Sequence, residues 1–149
     1  MTNRNHAAGA ETERMAAKYL RGTWTGADRR LREGRADDQG DIDGVPLTTI
    51  QIKRAKQPRL QTWVEQTLKQ RDEAGNPLCL LIVRKMQKAV GAWDAYMPVW
   101  QATGLYRHQE REAWTWVRMD LAMAVIVLRD LIAGEARPSP SPPSSSTTG

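Results

Sequence analysis

Three side chains between Gly40 and Lys53 could do chemistry together. The stretch reads G-D-I-D-G-V-P-L-T-T-I-Q-I-K. Asp41 brings a carboxylate, Gln51 an amide and Lys53 an ammonium. The carboxylate and amide oxygens suit a hard divalent cation, and the ammonium suits a phosphate oxygen. Two short β segments, Asp41–Asp43 and Leu47–Lys53, either side of a Gly44-Val45-Pro46 turn must position them. Strand side chains alternate faces, so Thr49, Gln51 and Lys53 point one way, and Ile50 and Ile52 the other. The isoleucines can face a core. Asp41 then meets the polar face across the hairpin, where the three groups make a site for a metal ion and a phosphate.

The chain of 149 residues suits one domain plus a tail. Hydrophobic residues make up 40% and charged residues 26%, which is a globular composition. The net charge of +5 and pI of about 9.7 fit a nucleic-acid partner and equally a basic soluble protein. The single cysteine, Cys79, excludes an internal disulfide and a cysteine-built zinc site. It lies in the apolar run Leu78–Val83 and reads as a buried, inert thiol. His6 and His108 have no partner at metal-ligand spacing. No stretch approaches a membrane span and the N-terminus lacks the apolar core of a signal peptide, so the expected location is cytoplasmic.

In chain order, residues through His6 read as a loose arm and Ala7–Leu20 as a helix with a stripe of Met15 or Ala16, Tyr19 and Leu20, ended by Gly22. Thr23–Leu31 reads as extended and Leu31–Gln39 as a charged loop. Pro58 introduces a helix over Leu60–Ala74, with Leu60, Trp63, Val64, Thr67 and Leu68 on one face. Trp63 reads as core. Leu78–Val83 has the length and apolarity of a central strand. Arg84–Gly91 is basic, either a DNA-touching loop or a solvated connection. Trp93–Trp100 reads as a strand broken by Pro98, residues 101–112 as polar and helical, and Ala113–Met119 as a strand. Asp120 would cap a last helix carrying Leu121, Ala124, Val125, Leu128 and Ile132, with Gly134 just past its end. Residues 137–149 are a Pro/Ser-rich tail expected to be disordered. The sum is an α/β domain over 1–136 with a mixed sheet flanked by helices.

Arginines crowd the proposed site. Arg29, Arg30, Arg32 and Arg35 precede it, and Arg54, Lys56 and Arg59 follow it. Guanidinium forks suit phosphate oxygens, and both groups are equally readable as solvated surface. Taken alone, Asp41 is also a turn-flanking acid with a local hydrogen bond, and Lys53 a strand-end surface lysine.

A helix bearing a glutamate, then G-D-I-x-G, then a strand ending in x-Lys resembles the PD-(D/E)XK nuclease pattern. The likeness is nearest to Holliday-junction resolvases, of the archaeal type and of actinobacterial phages, and spans Gly9 to Arg84. G-A-E-T-E-R-M-A-A-K-Y-L from Gly9 is similar to the family's opening helix and selects Glu13, with Glu11 as fallback. D-Q-G-D-I-D-G-V-P from Asp38 is similar to the metal-binding Asp motif and selects Asp41. T-T-I-Q-I-K stands where the family has Glu-x-Lys. The motifs are short, and their order and spacing together carry the specificity.

The resemblance implies a restriction-endonuclease-like fold, hydrolysis of phosphodiesters in branched DNA, and a Mg²⁺ cofactor that Mn²⁺ can replace. It also implies a homodimer, because two strands of a junction are cut together. The catalytic set would be Glu13, Asp41, Gln51 and Lys53, with metal held by Asp41, Gln51, the Ile52 carbonyl and Glu13. The DNA contacts would be Arg29, Arg30, Arg32, Arg35, Arg54, Lys56 and Arg59. Trp93, Trp100, Trp114 and Trp116 are offered as the dimer surface. If phage-encoded, the protein would act in the host cytoplasm.

One departure stands out: the family's glutamate on the third strand is Gln51 here. An amide gives a neutral oxygen in place of a charged one, and so a weaker hold on Mg²⁺. Asp37 or Asp38 would add charge to the site, whereas Asp43 is expected to face away. Two alternatives share the motifs: a restriction- or repair-type duplex nuclease, and a nuclease-fold module that binds DNA with a weakened metal site.

Overall fold

The computed structural model describes residues 2–30, 40–54, 57, 59–103 and 115–136. The first helix, α1, spans Thr2–Leu20, so the arm expected through His6 is helical instead. Nothing there breaks a helix already fixed further along by packing. Ala16, Ala17 and Leu20 are its buried stripe, with Met15 and Tyr19 half-buried beside them. The helix unwinds through bonds from Gly22 N–H to the Tyr19 carbonyl at 3.2 Å and from Trp24 N–H to Leu20 at 2.8 Å. Turns then occupy most of the segment expected to be extended, and among its described residues only β1, Asp28–Arg29, is strand.

The strands that follow are β2 (Ile42–Asp43) and β3 (Thr48–Lys53). The helix α2 (Leu60–Ala74) leads to β4 (Leu78–Val83). A 3₁₀ turn at Val90–Ala92 precedes β5 (Asp94–Pro98). The short α3 (Val99–Ala102) and then β6 (Trp116–Asp120) and α4 (Leu121–Ala136) complete the fold. Of the helix expected over 101–112, residues 101 and 102 belong to α3; 104–112, with the tail at 137–149, lie outside the described residues. Asp120 is the last residue of β6. Gly134 lies inside α4 instead of past its end, and nothing is within 4 Å of the position its Cβ would take.

Sequence order is also sheet order, β1 through β6. Every neighbouring pair is antiparallel except β3 and β4, which are parallel and joined by α2. A parallel pair needs such a crossover, because its second strand must restart at the same end. The protein is therefore a mixed α/β domain: a six-stranded sheet flanked by helices, compatible with the expected fold class.

Side-chain parity sorts the core into two layers. Ile42, Ile50, Ile52, Leu78, Leu80, Ile82, Ala95 and Met97 face α1 and α4, where Leu121, Ala124 and Leu128 close the layer. Leu81 and Val83 face α2 and pack on Trp63 and Val64. Each fully buried aliphatic side chain contributes about 1.5–3 kcal/mol, so β4, buried along its whole length, is the strand the fold can least lose. Trp93 and Trp100 are 0% and 2% exposed. They fill this chain's own interior, not the dimer surface expected of them; a large ring beside small neighbours such as Ala95 is core volume. Trp116 is half-buried, and Trp114 lies outside the described residues.

Candidate metal and phosphate site

Two positive-φ glycines shape the hairpin. Gly40 has φ +105°, and a Cβ there would stand 2.9 Å from the Ile50 carbonyl oxygen. Gly44 has φ +89°, and its Cβ would stand 2.0 Å from the Gly26 oxygen. Only glycine meets both demands at once. With Gly40 pressed against β3, Asp41 N–H reaches the Ile50 carbonyl at 2.7 Å. Ile42 is in register with Ile50, which brings Asp41 to the level of Gln51.

The Asp41 carboxylate then continues the ladder. Its Oδ2 accepts the Ile52 N–H at 2.8 Å. A strand residue presents its N–H and C=O on the same side, so the Ile52 carbonyl leaves β3 toward the same gap. Asp41 is only 3% exposed. Its backbone carbonyl accepts the Arg30 N–H at 2.8 Å, tying β1 into the arrangement.

Gln51 is 4% exposed, and its Oε1 is buried with no hydrogen-bond partner among the described residues. Native interiors rarely leave such an oxygen unsatisfied, and each instance calls for an explanation. A cation shared with Asp41 would supply one. The donor set of one carboxylate, one amide oxygen and one backbone carbonyl fits a hard, oxygen-seeking ion that keeps several waters. Lys53, half-buried, follows Gln51 by two positions and shares its face. No hydrogen bond or ion pair holds its ammonium among the described residues.

Glu13 is placed differently. Its Oε2 accepts a charge-assisted bond from Arg29 Nε at 2.9 Å, with both side chains about three-quarters buried. Arg29 is in register with Ile42 and so lies on the α1 face, whereas Gln51 and Lys53 lie on the α2 face. The structure thus brings Asp41, Gln51, Ile52 and Lys53 together and gives Glu13 an arginine instead. Among the described residues, no group of three His, Cys, Asp or Glu side chains could hold a metal ion. Glu11, the fallback, is exposed.

The basic residues divide as well. Arg30 donates from Nη1 to Asp43 at 3.1 Å, and its side chain is 11% exposed. Arg29 and Arg30 therefore both engage carboxylates of this chain, Arg29 on the face that α1 covers with Glu13 and Arg30 beside Asp43 of the neighbouring strand β2. Asp43 is exposed and serves that pair. Arg54 and Arg59 are exposed at the two ends of the β3–α2 connection. Arg32, Arg35, Asp37, Asp38 and Lys56 lie outside the described residues.

One group near the site was not legible as a unit. Arg84 follows β4, and its N–H donates to the Lys53 carbonyl at 2.9 Å. Its Nη1 donates to Thr12 Oγ1 at 2.9 Å, and its guanidinium lies 5.5 Å from the centre of the Trp93 ring. No spacing links residues 12, 53, 84 and 93, so no sequence signal could have grouped them. Farther off, burial and then Asp94 hold the Tyr96 phenol above its ordinary range, and a hydrogen bond to Asp94 holds Arg118 above its own.

No family model, no curated protein and no solved structure matches the chain. Among the described residues, no helix is long and apolar enough to cross a membrane.

Proposed function

We propose that this protein is a metal-dependent nuclease of the PD-(D/E)XK kind. Within that class we propose a structure-selective DNA endonuclease that acts on four-way junctions as a Holliday-junction resolvase. The observation that carries the reading is the Asp41–Gln51 pair: a buried carboxylate level with a buried, unpartnered amide oxygen, with Lys53 next on the same face. The mixed six-stranded sheet flanked by helices is compatible with it.

Asp41, Gln51 and the Ile52 carbonyl would hold Mg²⁺, or Mn²⁺ in its place. When bound, the ion lowers the pKa of a coordinated water and offsets charge growing on the phosphate. Asp41 is held in place by the Ile52 N–H, so its free orientation is restricted before any ligand arrives. Lys53 sets a fixed positive charge beside the attacked phosphate, where it favours the more highly charged transition state. The attacking water gives up a proton to solvent as its oxygen bonds phosphorus and the opposite P–O bond breaks, and the leaving oxygen takes a proton from solvent. Arg54 and Arg59 are placed to hold flanking phosphates. The homodimer is part of this proposal, without Trp93 and Trp100 as its surface.

The test is cleavage of a labelled four-way junction beside a linear duplex of the same arms, in Mg²⁺ and in Mn²⁺. Junction-selective nicking, absent with Asp41→Asn, is the expected result. Equal cutting of both substrates would favour a restriction- or repair-type enzyme.

A second reading rests on the Glu13–Arg29 pair, which leaves Asp41 as the site's carboxylate. On that reading the fold binds branched DNA and cuts it poorly or not at all. A calorimetric Mn²⁺ titration separates the two, because a pure binding module takes up no metal with Asp41-dependent affinity.

A further inference from the structure

The proposed site lies at one end of the sheet, and the topology collects cations there. Because β3 and β4 are parallel, their carboxyl ends, the start of α2 and the β4–β5 connection share that end. Lys53, Arg54, Arg59, Arg84, Lys85 and Lys88 all sit on these segments. Asp94 is the acid facing them from β5, and it is engaged by Arg118 at 3.0 Å and Lys85 at 3.5 Å. Open α/β sheets bind their ligands beyond the carboxyl ends of the strands.

The β4–β5 connection is braced. Arg84 is fixed at its base by Lys53, Thr12 and Trp93. The Trp93 indole N–H donates to the Lys88 carbonyl at 3.2 Å, and the Lys88 N–H reaches the Lys85 carbonyl at 3.4 Å. Gln87 adopts φ +63°, a conformation uncommon for a residue with a side chain. This support presents Met86, 56% exposed, at its tip. A lone exposed methionine is ordinary. This one stands on a fixed, strained turn between two lysines, two residues beyond Arg84, whose N–H bonds the Lys53 carbonyl. Apolar side chains, methionine among them, are the wedges with which proteins open a base step, while lysines hold the phosphates.

We propose that the turn Lys85–Lys88 is the element that recognises opened or branched DNA. Lys88 holds a backbone phosphate, and Met86 packs against the exposed face of the base pair at the branch. The inference rests on the nuclease reading above. Lys88 adds one phosphate contact to general affinity, and preference for a branch over a linear duplex comes from Met86.

The experiment is fluorescence anisotropy in EDTA, with a four-way junction and a linear duplex, for the native protein and for Met86→Ala, Met86→Leu and Lys88→Gln. Met86→Ala weakens junction binding by about tenfold, the scale of one lost apolar side-chain burial, and leaves duplex binding unchanged. Met86→Leu retains the preference. Lys88→Gln weakens both alike and lowers the log–log salt slope by about 0.9, one phosphate contact. A 2-aminopurine at the branch brightens with the native protein and not with Met86→Ala. Junction binding by Met86→Ala equal to native overturns the wedge, while junction nicking by the native protein would leave the nuclease reading standing. Failure of the native protein to bind DNA overturns both.

Discussion

The Asp41 carboxylate takes the place of a strand neighbour: its Oδ2 accepts the Ile52 N–H at 2.8 Å, where β2 has ended and β3 continues. The same side chain thus supports the sheet and, in the proposed site, would supply the negative charge. Stability and chemistry at Asp41 can be separated by substitution. Asp41→Asn keeps an acceptor for Ile52 and removes the charge, so metal binding and cleavage fall by at least about a hundredfold. Asp41→Ala leaves the Ile52 N–H buried without a partner and costs a further 1–3 kcal/mol or so. Urea unfolding beside the cleavage assay distinguishes the two, and equal stability of Asn and Ala variants would refute the structural role.

Gln51 offers the opposite case, because its orphaned oxygen costs stability in the absence of a ligand. Gln51→Leu is expected to be neutral or stabilising without metal, within about 1 kcal/mol, and to abolish metal-dependent stabilisation. Gln51→Glu places a second buried carboxylate beside Asp41. Its pKa is raised by burial and by the neighbouring charge, so the variant's stability is present at low pH and falls as pH rises. Added Mg²⁺ restores it at neutral pH. Thermal shifts with and without Mg²⁺ check each step, and a Gln51→Glu protein indifferent to metal would count against the site.

The glycines are expected to divide by contact. Gly44→Ala forces a Cβ to 2.0 Å from the Gly26 carbonyl oxygen at a left-handed φ. It is expected to destabilise by about 2–4 kcal/mol, the range for backbone strain with a clash. Gly134→Ala meets nothing within 4 Å on helix α4 and is expected to stabilise by about 0.5–1 kcal/mol. Denaturant midpoints measured in parallel decide both.

Cys79 gives a pH prediction. Burial pushes its thiol from 9.0 up to about 12. A thiol raised on folding contributes stability that is whole below the unfolded value and is lost as pH rises from 9.0 toward 12. Cys79→Ala is expected to flatten that alkaline fall. In the native protein the thiol should ignore a disulfide reagent at about pH 8, where thiolate is the reactive form, and react at the rate of unfolding. Rapid labelling of folded protein would contradict its burial.

Much of this molecule was legible in the chain. The apolar run Leu78–Val83, the stripe of α2 and the hairpin around Gly44 are local patterns, and local patterns report which face of an element needs cover. That Gln51 and Lys53 share one face of β3, level with Asp41, was legible for the same reason, since alternation fixes a strand's faces. Pairing of side chains across the fold was not. The sequence marks Glu13 and Arg29 as an acid and a base without saying that they find each other. It marks six tryptophans without saying that Trp93 is swallowed by the core while supporting the turn beneath Met86. Periodicity is a property of neighbours along the chain. Which charge meets which, and which aromatic ring is left for a partner, is fixed only when the β3–α2–β4 crossover and the packing of α1 and α4 bring distant residues into one shell.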